Sequence, residues 1–235
     1  MAANPSAKIT FIGAGNMASS LIGGLCATGY DPRFITATDP NSEQLSKIAQ
    51  ELGIRTSTDN NRAITTADVV VLAVKPQIMQ DVVTPLRSKV ETNQPLVISI
   101  AAGINTQNLC DWLGESTAVV RTMPNTPALV QAGATGLYAN SQVNHLQREI
   151  TTRIFDAVGT SIWFNDESDM DKVVAVSGSG PAYFFYVMEA MQNAAEAMGL
   201  SSDDARELTL QTALGSARSE EHTSELQSLA YLVCR

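Results

Sequence analysis

The tightest constraint on this chain lies in its first thirty residues. An apolar run, Lys8–Ile12, stops at Gly13-Ala14-Gly15-Asn16-Met17-Ala18, and a helical pattern, Asn16–Thr28, follows before Gly29. A strand that passes through G-x-G-x-x-A into a helix packs backbone closely on backbone. Gly13 permits the sharp turn, Gly15 leaves room above it, and Ala18 lets the helix lie against the strand. The unpaired N–H groups at the helix start, with the helix dipole, favour an anion there. In a first βαβ unit the anion expected is the pyrophosphate of a dinucleotide; an ordinary strand–helix turn is the alternative. Asp39 ends the second predicted strand, where a carboxylate accepts hydrogen bonds from adenosine ribose hydroxyls and favours NAD. A 2′-phosphate would meet like-charge repulsion unless Asp39 turns away, and Arg33, Arg55 and Arg62 are the nearby cations.

The same alternation continues. Strands are expected at Phe34–Thr38, Val69–Val74, Leu96–Ile100, Ala118–Thr122, Gly136–Ala139 and Ile162–Phe164. Helices are expected from Asn41, with Gln44 completing a capping box, to Gly53; from Pro76, kinked or ended at Pro85; at Thr106–Leu113; and at Asn144–Val158. Alternating βα units predict an α/β fold, a parallel sheet with helices on both faces. After Phe164 only helices are expected, at Asp166–Val176, Pro181–Met198 and Ser201–Ala217. The boundary is placed near Asn165, giving a sheet domain at 1–165 and a helical one at 166–217. Pro181–Met198 carries only Glu189 and Glu196 as charges, so it is expected to be buried, by a partner subunit or within its own domain. The segment 218–235 breaks the pattern. Arg218–Ser228 resembles the translation of a sequencing-library adapter, so the tail is expected to be non-native and the native chain interrupted near Ala217.

Composition excludes several classes. With 44% hydrophobic residues among 235, wholesale disorder is excluded. No apolar run is long enough for a membrane span, and the N-terminus lacks a secretory pattern. Fifteen Lys+Arg against 24 Asp+Glu, a net charge of −9, make a poor general nucleic-acid binder. Cys26, Cys110 and Cys234 form no CxxC, which fits a reducing cytoplasm. There is no nucleophile elbow, no P-loop lysine and no set with metal spacing; His145 reads as a surface residue and no side chain is assigned as catalytic. Such scarcity fits hydride transfer, where the cofactor carries the chemistry. An imine can be protonated before hydride arrives, so it demands less acid catalysis than a ketone.

Five motifs then coincide: Phe11–Ala18; Ala73-Val74-Lys75-Pro76; Ser99-Ile100-Ala101-Ala102-Gly103; Arg121-Thr122-Met123-Pro124-Asn125-Thr126-Pro127; and Ser177-Gly178-Ser179-Gly180-Pro181-Ala182-Tyr183. Their order and spacing resemble pyrroline-5-carboxylate reductase from about residue 8 to Ala217. The resemblance implies reduction of 1-pyrroline-5-carboxylate to L-proline with NADPH or NADH, the last step of proline synthesis. It also implies a Rossmann-type domain followed by an all-α dimerisation domain, incomplete here, that builds homodimers or larger rings.

By the same resemblance Ile12, Gly13, Ala14, Gly15, Asn16 and Met17 should hold the pyrophosphate, while Asp39 and Asn41 face the ribose and Asn60 also meets the cofactor. Ala73, Val74, Lys75 and Pro76 should line the cofactor. Ile100, Ala101, Ala102 and Gly103 should approach the nicotinamide, and Glu167 should reach it from the second domain. Met123, Pro124, Asn125 and Thr126, with Ser177, Gly178, Ser179 and Gly180, should flank the substrate. The family carries a further Ser-Pro-Gly-Gly-Thr-type loop for the substrate carboxylate, absent from these 235 residues. The chain as written is therefore expected to bind cofactor weakly and to turn over poorly. Two alternatives remain. One is a β-hydroxyacid dehydrogenase, which would need a lysine acid; past residue 100 only Lys172 is available. The other is a non-catalytic dinucleotide binder.

Overall fold

The computed structural model describes residues 7–219, which divide into two compact units, the first ending at Ser179 and the second beginning at Gly180. The sequence boundary near Asn165 falls earlier, at the end of the last strand. The suspected tail lies outside the described residues beyond Ser219.

The first unit is built on one eight-stranded sheet: β1 Ile9–Ile12, β2 Ile35–Thr38, β3 Arg55–Ser57, β4 Val69–Leu72, β5 Leu96–Ser99, β6 Val119–Met123, β7 Gly133–Ala139 and β8 Gly159–Phe164. Their order is β3-β2-β1-β4-β5-β6-β7-β8. Between the strands run α1 Asn16–Ala27, α2 Ser42–Leu52, α3 Asn60–Ala63, α4 Met79–Val83, α5 Arg87–Asn93, α6 Thr106–Leu113 and α7 His145–Asp156, with α8 Asp169–Val173 after the sheet. The central strands are apolar on both sides because both faces are covered. Their side chains alternate between two cores. Phe11, Val69, Val71 and Ile98 pack with Leu21, Leu25 and Phe155, whereas Ile12, Val70, Leu72 and Val97 pack with Met79, Leu86 and Leu109.

Three differences from the expected pattern have physical causes. The sheet is not wholly parallel: β6 and β7 pair antiparallel. The connection 124–132 holds only a 3₁₀ turn, Thr126–Val130, and is too short for the crossover that a parallel partner needs. Strand β3 was not expected, because its Arg-Thr-Ser lies on the polar sheet edge and lacks apolar alternation. The helix expected over Asp166–Val176 is split into α8 and a π-helical turn, Val174–Gly178, closed by Ser179 N–H donating to the Val174 carbonyl at 2.8 Å. Such turns are rare and occur often at functional sites. Pro85 falls in a 3₁₀ turn, Thr84–Leu86, that separates α4 from α5.

The second unit packs α9, Gly180–Ala197, against α10, Ser202–Arg218, with Gly199 at φ +102 in the turn. Of the two covers expected for α9, burial within its own domain fails among the described residues. Tyr183, Phe184, Phe185 and Tyr186 are between 59% and 74% exposed.

Candidate active site

Strands β1 to β6 are mutually parallel, so their C-terminal ends share one edge of the sheet. Chain order reverses direction between β1 and β4. In an open α/β sheet that reversal opens a crevice for ligands. Gly13 stands there at φ +99, its N–H donating to the Thr38 carbonyl at 2.8 Å. A Cβ on it would lie 2.5 Å from the Ala73 carbonyl oxygen, with Val74 close behind. Ala73 N–H in turn donates to the Ile12 carbonyl at 2.8 Å, so the first and fourth strand ends are drawn together. Gly15 differs. It caps α1 with no side-chain hydrogen bond, and no atom lies within 4 Å of its Cβ position. That open space above the first turn of α1, next to exposed Asn16 and half-buried Met17, is the cradle a diphosphate needs.

The peptide of Ala14 is held at both ends. Its N–H donates to Asp39 Oδ2 at 3.0 Å, and its carbonyl accepts from Gln44 Nε2 at 2.9 Å. Asp39 Oδ1 accepts from Asn41 N–H at 2.9 Å, so both carboxylate oxygens turn towards backbone amides. Asn41 caps α2, its Oδ1 accepting from the N–H groups of Glu43 and Gln44. The expected capping box is thus half formed: Gln44 reaches across to the glycine turn instead. Asn60 opens α3 beyond the C-terminal end of β3, on the same edge. Lys75 is exposed and Pro76 begins a 3₁₀ turn, Pro76–Ile78.

On the other side of the crevice, Ile100 N–H donates to the Leu72 carbonyl at 3.2 Å, and Ala101 N–H to Ser99 Oγ at 3.3 Å. Ala102 and Gly103 are exposed. Beyond β6, Met123 is half-buried and Pro124 buried, and Thr126 is exposed. Asn125 is 8% exposed and uses both ends of its amide: Nδ2 donates to the Ser177 carbonyl at 2.9 Å, while Oδ1 accepts from Ala134 N–H at 2.9 Å. A Cβ on Gly178 would lie 2.9 Å from Met123 Cε. The π turn is thereby brought against the Met123–Asn125 segment, with Ser177 Oγ donating to the Val173 carbonyl. Ser179 closes that turn, and Gly180 begins the second unit.

Glu167 is committed within the first unit. Its carboxylate accepts from Thr106 N–H at 2.8 Å and Thr106 Oγ1 at 2.7 Å, and Arg121 Nη1 stands 3.4 Å away. Sequence reasoning gave no site role to Gln44, Thr106 or Arg121. Arg121 alone left a signal, a charge inside an otherwise apolar strand, which must be paired when buried.

The chemistry available is limited. Lys172 is 78% exposed at its side chain and 2.6 Å from Asp169, whose carboxylate holds the ammonium pKa above the ordinary lysine value. It is a poor proton donor near neutral pH. Burial pushes the thiols of Cys26 and Cys110 up, so neither is an activated nucleophile. Among the described residues no cluster of three or more His, Cys, Asp or Glu could hold a metal. A concave surface of about 680 Å³ beside α7, floored by Arg148 and Trp163, includes none of the expected site residues.

Residues 8–103 match a family described as NADP oxidoreductase coenzyme F420-dependent, and residues 167–234 match pyrroline-5-carboxylate reductase dimerisation. A pyrroline-5-carboxylate reductase from Pseudomonas aeruginosa is 52% identical over 224 residues, 94% of this chain and 82% of that protein. The solved structure of one from Coxiella burnetii is 45% identical with a TM-score of 0.89, covering 97% of this chain and 83% of the other. Another, from Plasmodium falciparum with NADP bound, is 29% identical with a TM-score of 0.84, covering 97% of this chain and 83% of the other. By sequence identity, coverage and fold together, the chain belongs to the pyrroline-5-carboxylate reductase family.

Proposed function

We propose that this protein reduces the cyclic imine of 1-pyrroline-5-carboxylate to L-proline, with NADPH or NADH as reductant. The observation that carries the reading is the open cradle at Gly15, set where the ends of β1 and β4 are drawn together by Gly13 and Ala73. Its residues fit a dinucleotide: small, glycine-rich, and backed by the unpaired N–H groups of α1. Ile12–Met17 would hold the diphosphate. Asp39, Asn41 and Asn60 would face the ribose side, and Ala73–Pro76 the length of the cofactor. With both Asp39 oxygens hydrogen-bonded to backbone amides, its charge is partly offset, and either cofactor is accommodated.

When bound, the nicotinamide supplies a hydride to the imine carbon. The chain's own part is to bind and orient. Ile100–Gly103 offers small residues and backbone to one side of the reacting carbon. Met123–Thr126 and Ser177–Ser179 offer a tightly packed wall on the other. The imine nitrogen can take its proton in equilibrium with solvent before hydride arrives, so the residues proposed for the site need supply no histidine or lysine acid. The exposed aromatic residues of α9 support a homodimer, since an apolar patch of this kind requires a cover. No helix of the described residues is long and apolar enough to cross a membrane; a cytoplasmic location is part of the proposal.

The test is a fluorescence titration with NADPH and NADH, followed by oxidation of the bound cofactor on adding 1-pyrroline-5-carboxylate, using the protein that carries this chain. Saturable binding and substrate-dependent oxidation are expected, with no turnover of β-hydroxyacids in the reverse direction. Binding with β-hydroxyacid oxidation alone would support the lysine-dependent alternative, and binding without turnover of either substrate a non-catalytic role. Light scattering is expected to give at least twice the 25.1 kDa chain mass.

A further inference from the structure

The geometry points to Gln44 as a positioning residue: from the first turn of α2 it holds the Ala14–Gly15 peptide in the orientation that presents the Gly15 N–H to a bound diphosphate. The inference rests on the cofactor site proposed above. Each peptide of the glycine turn needs a partner, because glycines on both sides of Ala14 leave the backbone free to rotate. The Ile12–Gly13 peptide is held twice, its N–H by the Thr38 carbonyl and its carbonyl by Ala73 N–H, both at 2.8 Å. The Gly13–Ala14 peptide is held by Asp39 Oδ2, which accepts from Ala14 N–H at 3.0 Å. The Gly15–Asn16 peptide belongs to the helix, since the Gly15 carbonyl accepts from Ser19 N–H at 2.9 Å. Between them, the Ala14–Gly15 peptide depends on Gln44, whose Nε2 donates to the Ala14 carbonyl at 2.9 Å; Ser19 Oγ reaches the same oxygen only at 3.5 Å.

In a trans peptide the carbonyl and the N–H point to opposite sides. A carbonyl drawn back to Gln44 therefore sends the Gly15 N–H the other way. Gly15 is exposed, and among the described residues its N–H has no hydrogen-bond partner. Turning this peptide over would carry the Gly15 φ from −73 to a positive value, which glycine adopts as readily. The carbonyl oxygen would then face the diphosphate, and two negative groups would repel. Gln44 is well placed to prevent the turn, because its own backbone is fixed. Asn41 Oδ1 accepts from the N–H groups of Glu43 and Gln44, and Asp39 Oδ1 accepts from Asn41 N–H. Asp39 and Gln44 thus hold consecutive peptides from one corner, between the end of β2 and the start of α2.

Two variants of the protein that carries this chain test the assignment. Gln44→Met removes the donor at similar side-chain volume, and Gln44→Asn keeps an amide but withdraws it by one methylene. Each should raise the Kd of NADPH and NADH alike, by about three- to tenfold, because the binding-competent orientation becomes a smaller fraction of the free protein. At saturating cofactor kcat should stay within about twofold, since the bound diphosphate then holds the peptide itself. Tm without cofactor should fall by no more than about 4 °C. In the cofactor-free protein the amide NMR resonance of Gly15 should shift or broaden. A loss confined to NADPH overturns the inference, because Gln44 would then meet the 2′-phosphate. A common loss with an unmoved Gly15 resonance also overturns it, because Gln44 would then touch the cofactor directly. Parental Kd values in both variants overturn it outright. Should Gln44→Met not fold, Gln44→Asn decides alone. Failure of the unsubstituted protein to bind either dinucleotide overturns the proposed cofactor site, and this inference with it, before any variant is measured.

Discussion

Gly13 and Gly15 stand two residues apart in one turn and should answer oppositely to the same added methyl. At Gly13 the Cβ would fall 2.5 Å from the Ala73 carbonyl oxygen and 2.8 Å from its carbon, well inside ordinary contact at 3.4 Å. These are backbone atoms just past the end of β4, held by the Ala73 N–H bond to the Ile12 carbonyl, and cannot swing away. The φ of +99 adds the strain of a conformation that side chains other than glycine avoid, of order 1–3 kcal/mol. With the steric displacement included, Gly13→Ala should cost about 2–4 kcal/mol, lowering Tm by roughly 5–15 °C for a chain of this size. Gly15 has φ −73 and open space about it. Alanine is a poorer helix cap than glycine, but it also restricts the unfolded chain, and the two effects offset to within about 1 kcal/mol. Thermal unfolding should therefore barely register Gly15→Ala. Its methyl, however, stands where a diphosphate must approach the helix start, so the NADPH Kd measured by fluorescence should rise by about tenfold or more, near 1.4 kcal/mol. If Gly15→Ala binds NADPH as the parent does, the cradle is misplaced and the argument for cofactor binding at this turn fails. If Gly13→Ala is as stable as the parent, the close approach of β1 and β4 is wrong.

Asp39→Ser should raise the NADPH/NADH ratio of kcat/KM by removing a carboxylate from the ribose side; it should also weaken binding of both cofactors slightly, because the Ala14 N–H loses its acceptor. An unchanged ratio would show that Asp39 is not the discriminator. Lys172→Ala should leave kcat/KM within about twofold, since surface changes away from the site are small in effect; a hundredfold loss would point to lysine acid catalysis of a carbonyl. Tyr30 donates to the Ala7 carbonyl, and burial chiefly pushes its pKa up to about 12 from 10.0. The folded state keeps this proton where the unfolded state releases it, so the stabilisation is complete below pH 10 and lost as pH rises towards 12. Urea midpoints of Tyr30→Phe should fall less steeply than those of the parent across that window, and parallel slopes would refute the assignment.

The glycine turn was legible because its function is local. A tight turn, a space and a close packing each require one small residue, and those three requirements fall within six positions, Gly13 to Ala18. The apolar runs of β1, β4 and β5 were legible because a strand covered on both faces has no place for polar side chains. Arg55–Ser57 was not, since an edge strand is defined by its neighbour and not by its own pattern. Gln44 shows the limit more sharply. Its spacing from Asn41 suits a capping box, yet the Asn41 N–H is taken by Asp39 Oδ1, and Gln44 Nε2 donates instead to the Ala14 carbonyl thirty residues earlier in the chain.

By itself, the sequence located the central strands and most of the helices, offered one turn as an anion site, and showed which family the chain resembles; all of these follow from residue size, backbone freedom and periodicity over short stretches. Only the tertiary structure decided the reversal between β6 and β7, the π turn at Val174–Gly178, and the partners of Asp39, Asn125 and Glu167. A carboxylate or an amide has several acceptable partners within reach of its chemistry. Which one it takes depends on the backbone groups that folding brings beside it from distant parts of the chain, and that information is carried by no single segment.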